Sequence, residues 1–283
     1  MAAEVALARN LATPGTPLIL YAWQNILRQR RWLVRLACAF TLRSAQHVVC
    51  ASREAISVLE RQGYRGTSSI QPLFGLDTRY FYPHPVPALK AQLGLKEFVV
   101  GYIGRLVPEK GVDTLLKAAA LAQRPLQVLV VGSGPEKEKL QALARQLGIQ
   151  SKCVFVENRA YDLIADYVNA LDLLILPSRT TPNWKEQFGR VLVEAMASKV
   201  PIVGSNSGAI PEVIGEAGRI FPEGETLALV QIIDELAAQP ALRGNLIERG
   251  YQRVQQHYTV DQLAQKTLTL WRNLASESIE RPC

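Results

Sequence analysis

Two acids eight positions apart, Glu186 and Glu194, bracket Gly189 in the run EQFGRVLVEAMA (186–197). If one continuous helix carried both, their backbones would stand roughly 12 Å apart. Carboxylates that far apart do not share one bond, as the roughly 5–9.5 Å pairs of glycoside hydrolases do. They suit opposite ends of an extended ligand. Between them the helix start (Gly189, Arg190, Val191, Leu192) offers N–H groups that lack a partner within the helix and favour phosphate. Hydroxyl, diphosphate, hydroxyl is the order such a surface would match, the outline of a nucleotide-sugar. Two ordinary surface acids on an amphipathic helix would leave the same letters, so the pair is weighed with three further features.

Arg105 and Lys110 lie in GRLVPEKG (104–111), on a Gly-bounded loop from which both could reach one anionic group. Gly132, Ser133 and Gly134 form a GxG turn before Pro135, a pattern that lets a ligand approach the backbone and that also occurs purely for packing. SNSGAIPEVIG (205–215) is a small-residue loop ending in Pro-Glu at a helix start. It would either close over the same crevice or serve as a plain βα turn.

These features need a scaffold, and the hydrophobic pattern supplies one. FVVGYIG (98–104), LQVLVV (126–131), CVFV (153–156), LDLLIL (171–176) and VPIVG (200–204) are short apolar runs that read as buried strands. Helical periods separate them. Val112, Leu115, Leu116 and Ala119 share one face, as do Leu140, Leu143, Ala144 and Leu147 ahead of Gly148. Further helices are expected near 161–170 and 189–198. Strand and helix in alternation predict an α/β fold, a parallel, doubly wound sheet with right-handed crossovers. All four features then fall at carboxyl ends of strands, where open α/β sheets bind ligands.

Residues 1–72 repeat the alternation in shorter form, with strands at 17–23, 47–52 and 68–73 and helices near 25–43 and 53–62. Three strands would leave a face or edge uncovered. FGLDTRYFYPHPVPALK (74–90) holds three prolines and reads as a linker. Helices near 225–238, 241–256 and 260–275 close the chain. Charge is unevenly placed: residues 1–95 carry 11 Lys and Arg against 4 Asp and Glu, the rest 21 of each. The helix near 25–43 gathers Arg28, Arg30, Arg31, Arg35 and Arg43 beside Trp32, Leu33, Leu36 and Phe40. It is read either as an ordinary packed helix or as a peripheral contact with an anionic membrane surface. The composition excludes disordered, collagen-like and disulfide-dense classes. No apolar run approaches a membrane span, and the start lacks the pattern of a secretory signal. Four scattered cysteines without metal or redox spacing point to a reduced, cytoplasmic setting.

Taken in order, GRLVPEKG, VGSGP, LPS (176–178), EQFGRVLVEAMA and SGAIPEVI resemble the nucleotide-binding lobe of family-4 glycosyltransferases of the GT-B fold. YAWQN (21–25), VVCAS (48–52) and PLFGLDTRYFYP (72–83) resemble the last part of that family's N-terminal lobe. The resemblance implies a partial acceptor-side lobe over 1–92 with a linker near 74–92. A Rossmann-like donor lobe over 93–258 and a helix over 259–283 that packs back toward the first lobe would follow. It implies a retaining transferase that moves a sugar from a nucleotide-diphosphate-sugar to a glycan or lipid-linked acceptor. No metal or other cofactor is expected, in keeping with the lack of an Asp-x-Asp pair, and no nucleic acid partner. Arg105 and Lys110 would hold the diphosphate beside Gly104 and the Gly132–Ser133–Gly134 turn. Glu186 would bind the transferred sugar, the backbone of Phe188 and Gly189 would lie along it, and that of Val191 and Leu192 along the phosphates. Glu194 would take the ribose hydroxyls. Two departures stand out. Phe155 is followed by Val156, Glu157 and Asn158 where the family shows Phe-x-Gly, so no base-reading residue is assigned. The leading strand, Gly-rich loop and His of the family's N-terminal lobe have no counterpart; His47, His84 and His257 lie in other contexts. The expectation is a chain shortened at its N-terminus. The alternative is a non-catalytic module that binds the donor or a partner transferase, and a GT-B epimerase or phosphorylase is a third reading.

Overall fold

Val99–Ile103 can be buried without a break only in a sheet covered on both faces, and that condition selects parallel strands flanked by helices. The computed structural model describes residues 2–27, 31–72, 74–157 and 159–279. Its contacts divide the chain into two units: the residues up to Gly75 with those from Val260 onward, and Leu76–Thr259.

The first unit runs through α1 (Ala2–Ala12), β1 (Ile19–Ala22), α2 (Trp32–Ser44), β2 (His47–Cys50), α3 (Arg53–Arg61) and β3 (Thr67–Ile70). Three parallel strands lie in the order β1-β2-β3. Central β2 is buried, and Val48 and Cys50 pack with Ala55, Leu59 and Tyr64. His47 serves the sheet: its ring nitrogens meet Thr67 Oγ1 at 3.0 Å and Ser69 Oγ at 2.8 Å, which ties β2 to β3. The helix expected near 25–43 is shorter than its pattern. It begins at Trp32, and upstream Gln24 Nε2 donates to the Ile26 carbonyl at 2.7 Å. Arg28 and Arg30 lie outside the described residues. Thr41 is the one buried residue of α2, whereas Trp32, Leu33, Leu36 and Phe40 are exposed. The C-terminal helix, Val260–Ile279, belongs to this unit, and Thr267 Oγ1 donates to Gln71 Oε1 at 3.4 Å.

The second unit holds α4 (Pro87–Gln92), β4 (Phe98–Ile103), α5 (Val112–Leu121), β5 (Leu126–Val131), α6 (Lys137–Gln146), β6 (Cys153–Val156) and α7 (Tyr161–Asn169). It continues through β7 (Leu173–Leu176), α8 (Arg190–Ala197), β8 (Ile202–Ser205), α9 (Ile210–Ile214), β9 (Gly218–Phe221), α10 (Thr226–Ala238) and α11 (Pro240–His257). The Val260–Ile279 helix is therefore α12. Six parallel strands lie in the order β6-β5-β4-β7-β8-β9. The chain steps outward from β4 through β5 to β6, then returns to the other side of β4 with β7. Such a reversal opens a crevice at the carboxyl ends of the strands on either side of it. All four residues of β7 are buried, and burying a Leu or Ile side chain contributes roughly 2 kcal/mol.

The stretch 74–90, expected as a linker, is anchored at several points. Leu76 and Phe81 are buried, and the Leu76 N–H donates to the Tyr258 carbonyl at 2.6 Å. The Phe81 ring lies 5.3 Å from that of Tyr161. His84 Nε2 meets Asp166 Oδ1 at 2.8 Å, and its N–H donates to Asn169 Oδ1 at 3.0 Å. Prolines fixed the local backbone here, but the apolar residues between them decide where it lies. The division between units consequently falls at the front of this stretch.

Candidate active site

The loops that follow β4, β5, β7 and β8 meet at the carboxyl ends of the strands and are joined through their backbones. The Leu106 N–H donates to the Ser133 carbonyl at 2.8 Å, Arg179 N–H to Glu109 at 2.7 Å, and Ala209 N–H to Glu186 at 2.9 Å. The motifs of the first, second, third and fourth features therefore form one surface. The SNSGAIPEVIG loop closes against Glu186 through Ala209. Glycine is required where these loops touch: a Cβ on Gly132 would collide with the Gly104 carbonyl.

Lys110 and Glu186 are the centre of this surface. A single 3₁₀ turn, Pro108–Lys110, presents the lysine, whose Nζ donates to Glu186 Oε2 at 2.5 Å. The same oxygen accepts from Ser178 Oγ at 2.9 Å, and Ser205 Oγ supports Ser178 by donating to its carbonyl. The side chains of Lys110 and Glu186 are only 18% and 9% exposed, so the charges are taken out of water together. Arg105 is exposed on the same loop, and its guanidinium has no hydrogen bond or ion pair among the described residues. Its carbonyl accepts from the buried Tyr102 hydroxyl at 2.7 Å, which fixes the loop beneath it.

Glu186 and Glu194 do not share a helix, contrary to the ruler used above. Gly189 adopts φ +78°, a left-handed conformation that no helical residue takes, so α8 begins at Arg190 and Glu186 stays on the approach loop. Glu194 is buried on α8. Arg190 Nε, one turn earlier, lies 2.9 Å from its Oε1, and the Tyr161 phenol donates to it. Arg190 also lies over the Tyr161 ring, 4.2 Å from its centroid. Burial pushes the Glu194 carboxyl above the ordinary glutamate range, while the Arg190 charge and the Tyr161 and Arg190 hydrogen bonds pull it back in part.

A raised folded-state value means that the native protein holds this proton more tightly than the unfolded chain does. The associated stability is then present below the ordinary glutamate value and is lost as pH rises through the raised one. Glu194→Gln is expected to raise the melting temperature at pH 7–8, and the gain should vanish near pH 4, where the wild-type residue is itself protonated. Thermal melts of both proteins across that range check it.

The remaining residues singled out in the sequence fall into two groups. Gly104, Gly132, Ser133 and Gly134 line the contact between the β4 and β5 loops. Phe188 and Leu192 turn their side chains into the core, where the Phe188 ring lies 5.8 Å from that of Tyr258. What Phe188 can present to a ligand is backbone, whereas the Leu192 N–H, expected to lie along the phosphates, instead donates to the Gly189 carbonyl at 2.9 Å. Val191 is half-buried in the first turn of α8. Three participants were not singled out as ligand or catalytic residues, Ser178, Trp184 and Tyr161, and Arg190 was named for its backbone N–H and not for its side chain. Ser178 lay within the LPS run, and Trp184 follows a Pro-Asn pair, a turn signal. Tyr161 had no signal, because its role depends on α7 packing against α8.

Comparison with known proteins points the same way. The profile of the family described as "Glycosyl transferases group 1" matches residues 87–253. A D-inositol 3-phosphate glycosyltransferase of Rhodococcus opacus (strain B4) is 35% identical over 182 residues, 59% of this chain and 40% of that protein. An N-acetyl-alpha-D-glucosaminyl L-malate synthase of Bacillus anthracis is 28% identical over 202 residues, 69% of this chain and 51% of that protein. The chain thus spans about half the length of such curated relatives or less. Among solved structures, Anabaena Alr3699/HepE in complex with UDP and glucose superposes with a TM-score of 0.81 at 25% identity, over 96% of this chain and 75% of that one. Sucrose-phosphate synthase from Thermosynechococcus elongatus gives 0.72 at 27% identity, over 96% and 66%.

Proposed function

We propose, because this chain belongs to the glycosyl transferases group 1 family and has the GT-B fold, that its second unit binds a nucleotide-diphosphate-sugar and takes part in retaining sugar transfer. The observation that carries the reading is the Lys110–Glu186 pair at the switch point of the sheet, with Arg105 exposed on the same loop as Lys110. A departing nucleoside diphosphate gains negative charge, and two cations already in place lower the barrier by several kcal/mol in a site sheltered from water. Lys110 and Arg105 are suited to that task without a metal ion. Glu186 then accepts from sugar hydroxyls, and the start of α8 faces the phosphates with the positive end of its helix dipole. Glu194, held by Arg190 and Tyr161, takes the ribose hydroxyls. Support for a uridine nucleotide as one donor comes from the HepE complex, which holds UDP.

On this reading the acceptor is a glycan or a lipid-linked molecule. Exposure of Trp32, Leu33, Leu36 and Phe40 on α2, beside Arg31 and Arg35, favours contact with an anionic membrane surface from the cytoplasmic side. Among the described residues no helix is long and apolar enough to cross a membrane.

Release of labelled sugar from UDP- and GDP-sugars, with and without glycan or lipid acceptors, tests the reading. Turnover that disappears in Glu186→Ala supports a working transferase site. Stabilisation by nucleotide with no turnover on any acceptor would instead identify a donor-binding module, the second reading that the share of the relatives' length keeps in view.

A further inference from the structure

Between Ser178 and Glu186 the chain makes a small hairpin of its own. Thr181 N–H donates to the Trp184 carbonyl at 2.8 Å and Trp184 N–H to the Thr181 carbonyl at 3.3 Å, around Pro182 and Asn183. Its base is fixed from outside. Glu223 accepts from both the N–H and the Oγ1 of Thr180 at 2.5 Å, and its own N–H donates to Asn206 Oδ1 at 2.9 Å. Thr180 Oγ1 also lies 3.2 Å from Ser207 Oγ. The hairpin is thereby bound to the loops after β8 and β9, and it brings Trp184 to the site: the Trp184 ring centroid lies 4.8 Å from Lys110 Nζ. The two cations of the β4 loop are thus held differently. Arg105 is free among the described residues, and Lys110 has both a carboxylate and an aromatic face.

An indole face attracts an ammonium without offering it a lone pair. It therefore does not compete with a phosphate oxygen as a second carboxylate would. It can remain against the lysine when Glu186 is exchanged for phosphate, so the ammonium need not return to water during the exchange. We propose that Trp184 is a positioning residue that fixes the Lys110 ammonium at the crevice for a nucleoside diphosphate. The proposal rests on the donor-site reading above and adds a group that acts through Lys110, without contact to the reacting atoms.

A double-mutant cycle tests it. Dissociation constants for UDP and GDP are measured by calorimetry on the full chain, on Trp184→Leu, on Lys110→Met and on the double variant. Trp184→Leu is expected to weaken binding about fivefold to tenfold, whereas the same change in the Lys110→Met background should alter it by less than about twofold. Trp184→Phe keeps an aromatic face and should stay within about threefold of wild type. Should Trp184→Leu fail to fold, Trp184→Gln takes its place in the cycle. Equal weakening in both backgrounds would show a general structural role and overturn the proposal. So would unchanged binding in Trp184→Leu while wild type binds nucleotide normally. If wild type binds neither UDP nor GDP, the donor-site reading fails first and this proposal falls with it.

Discussion

Lys110→Ala is expected to lower the proposed sugar release from the donor by about 100-fold to 1000-fold, the effect of removing one preorganised charge-stabilising donor, and to destabilise the fold by about 3 kcal/mol. Both effects have one cause. Lys110 is the cationic partner of a nearly buried carboxylate that also accepts from the Ser178 hydroxyl, and its removal takes away the charge that pairs with Glu186 at 2.5 Å. The sign is checked by taking both partners away. Breaking a buried pair strands a charge, whereas deleting the pair does not, so Lys110→Ala/Glu186→Ala should be more stable than Lys110→Ala alone. Urea denaturation of the three proteins gives the comparison. Losses that simply add would mean that the two side chains do not interact.

The second large effect is on the backbone. Gly132→Ala is expected to cost about 3 kcal/mol or more, because its Cβ meets the Gly104 carbonyl, a backbone atom just past β4 whose residue is tied down by its N–H to the Val131 carbonyl at 2.9 Å. Gly148→Ala is the control. Gly148 also has a positive φ, +70°, but nothing lies within 4 Å of its Cβ, so only conformational strain of about 1 kcal/mol is expected. A Gly132→Ala protein as stable as Gly148→Ala would mean that the β4 and β5 loops are not in contact. In a folded Gly132→Ala protein the displaced loop should also weaken nucleotide binding, since Arg105 and Lys110 ride on it.

Much of the second unit was legible because its strands are buried on both faces. An apolar run such as VLVV or LLIL has no alternative partner that satisfies its backbone, and its position in the alternation fixes its neighbours. The helix start at residues 189–190 was legible too, but the distance between the two acids was not. A ruler of residues per turn holds only inside one helix, and Gly189 at φ +78° ends its validity between Glu186 and Glu194. β9 was missed because GRIF offers four residues with Arg219 among them. α1 was missed because its apolar residues form no clear stripe, and Val5, Leu7 and Leu11 are exposed. The anchoring of 74–90 depends on Leu76 and Phe81 finding partners up to about 180 positions away in sequence, which local pattern does not reveal. Trp184 shows the same limit at the site. A Pro-Asn turn marks a bend, but that the bend points an indole at Lys110 follows only from Glu223 anchoring its base.

Amide hydrogen exchange with and without saturating UDP or GDP addresses the donor crevice most directly. The expected result is slowed exchange confined to residues 104–111, 131–135 and 186–192. Protection elsewhere in the second unit, with those three segments unchanged, would place the nucleotide in another location and remove the basis for every role assigned here to Lys110, Arg105, Glu186 and Glu194.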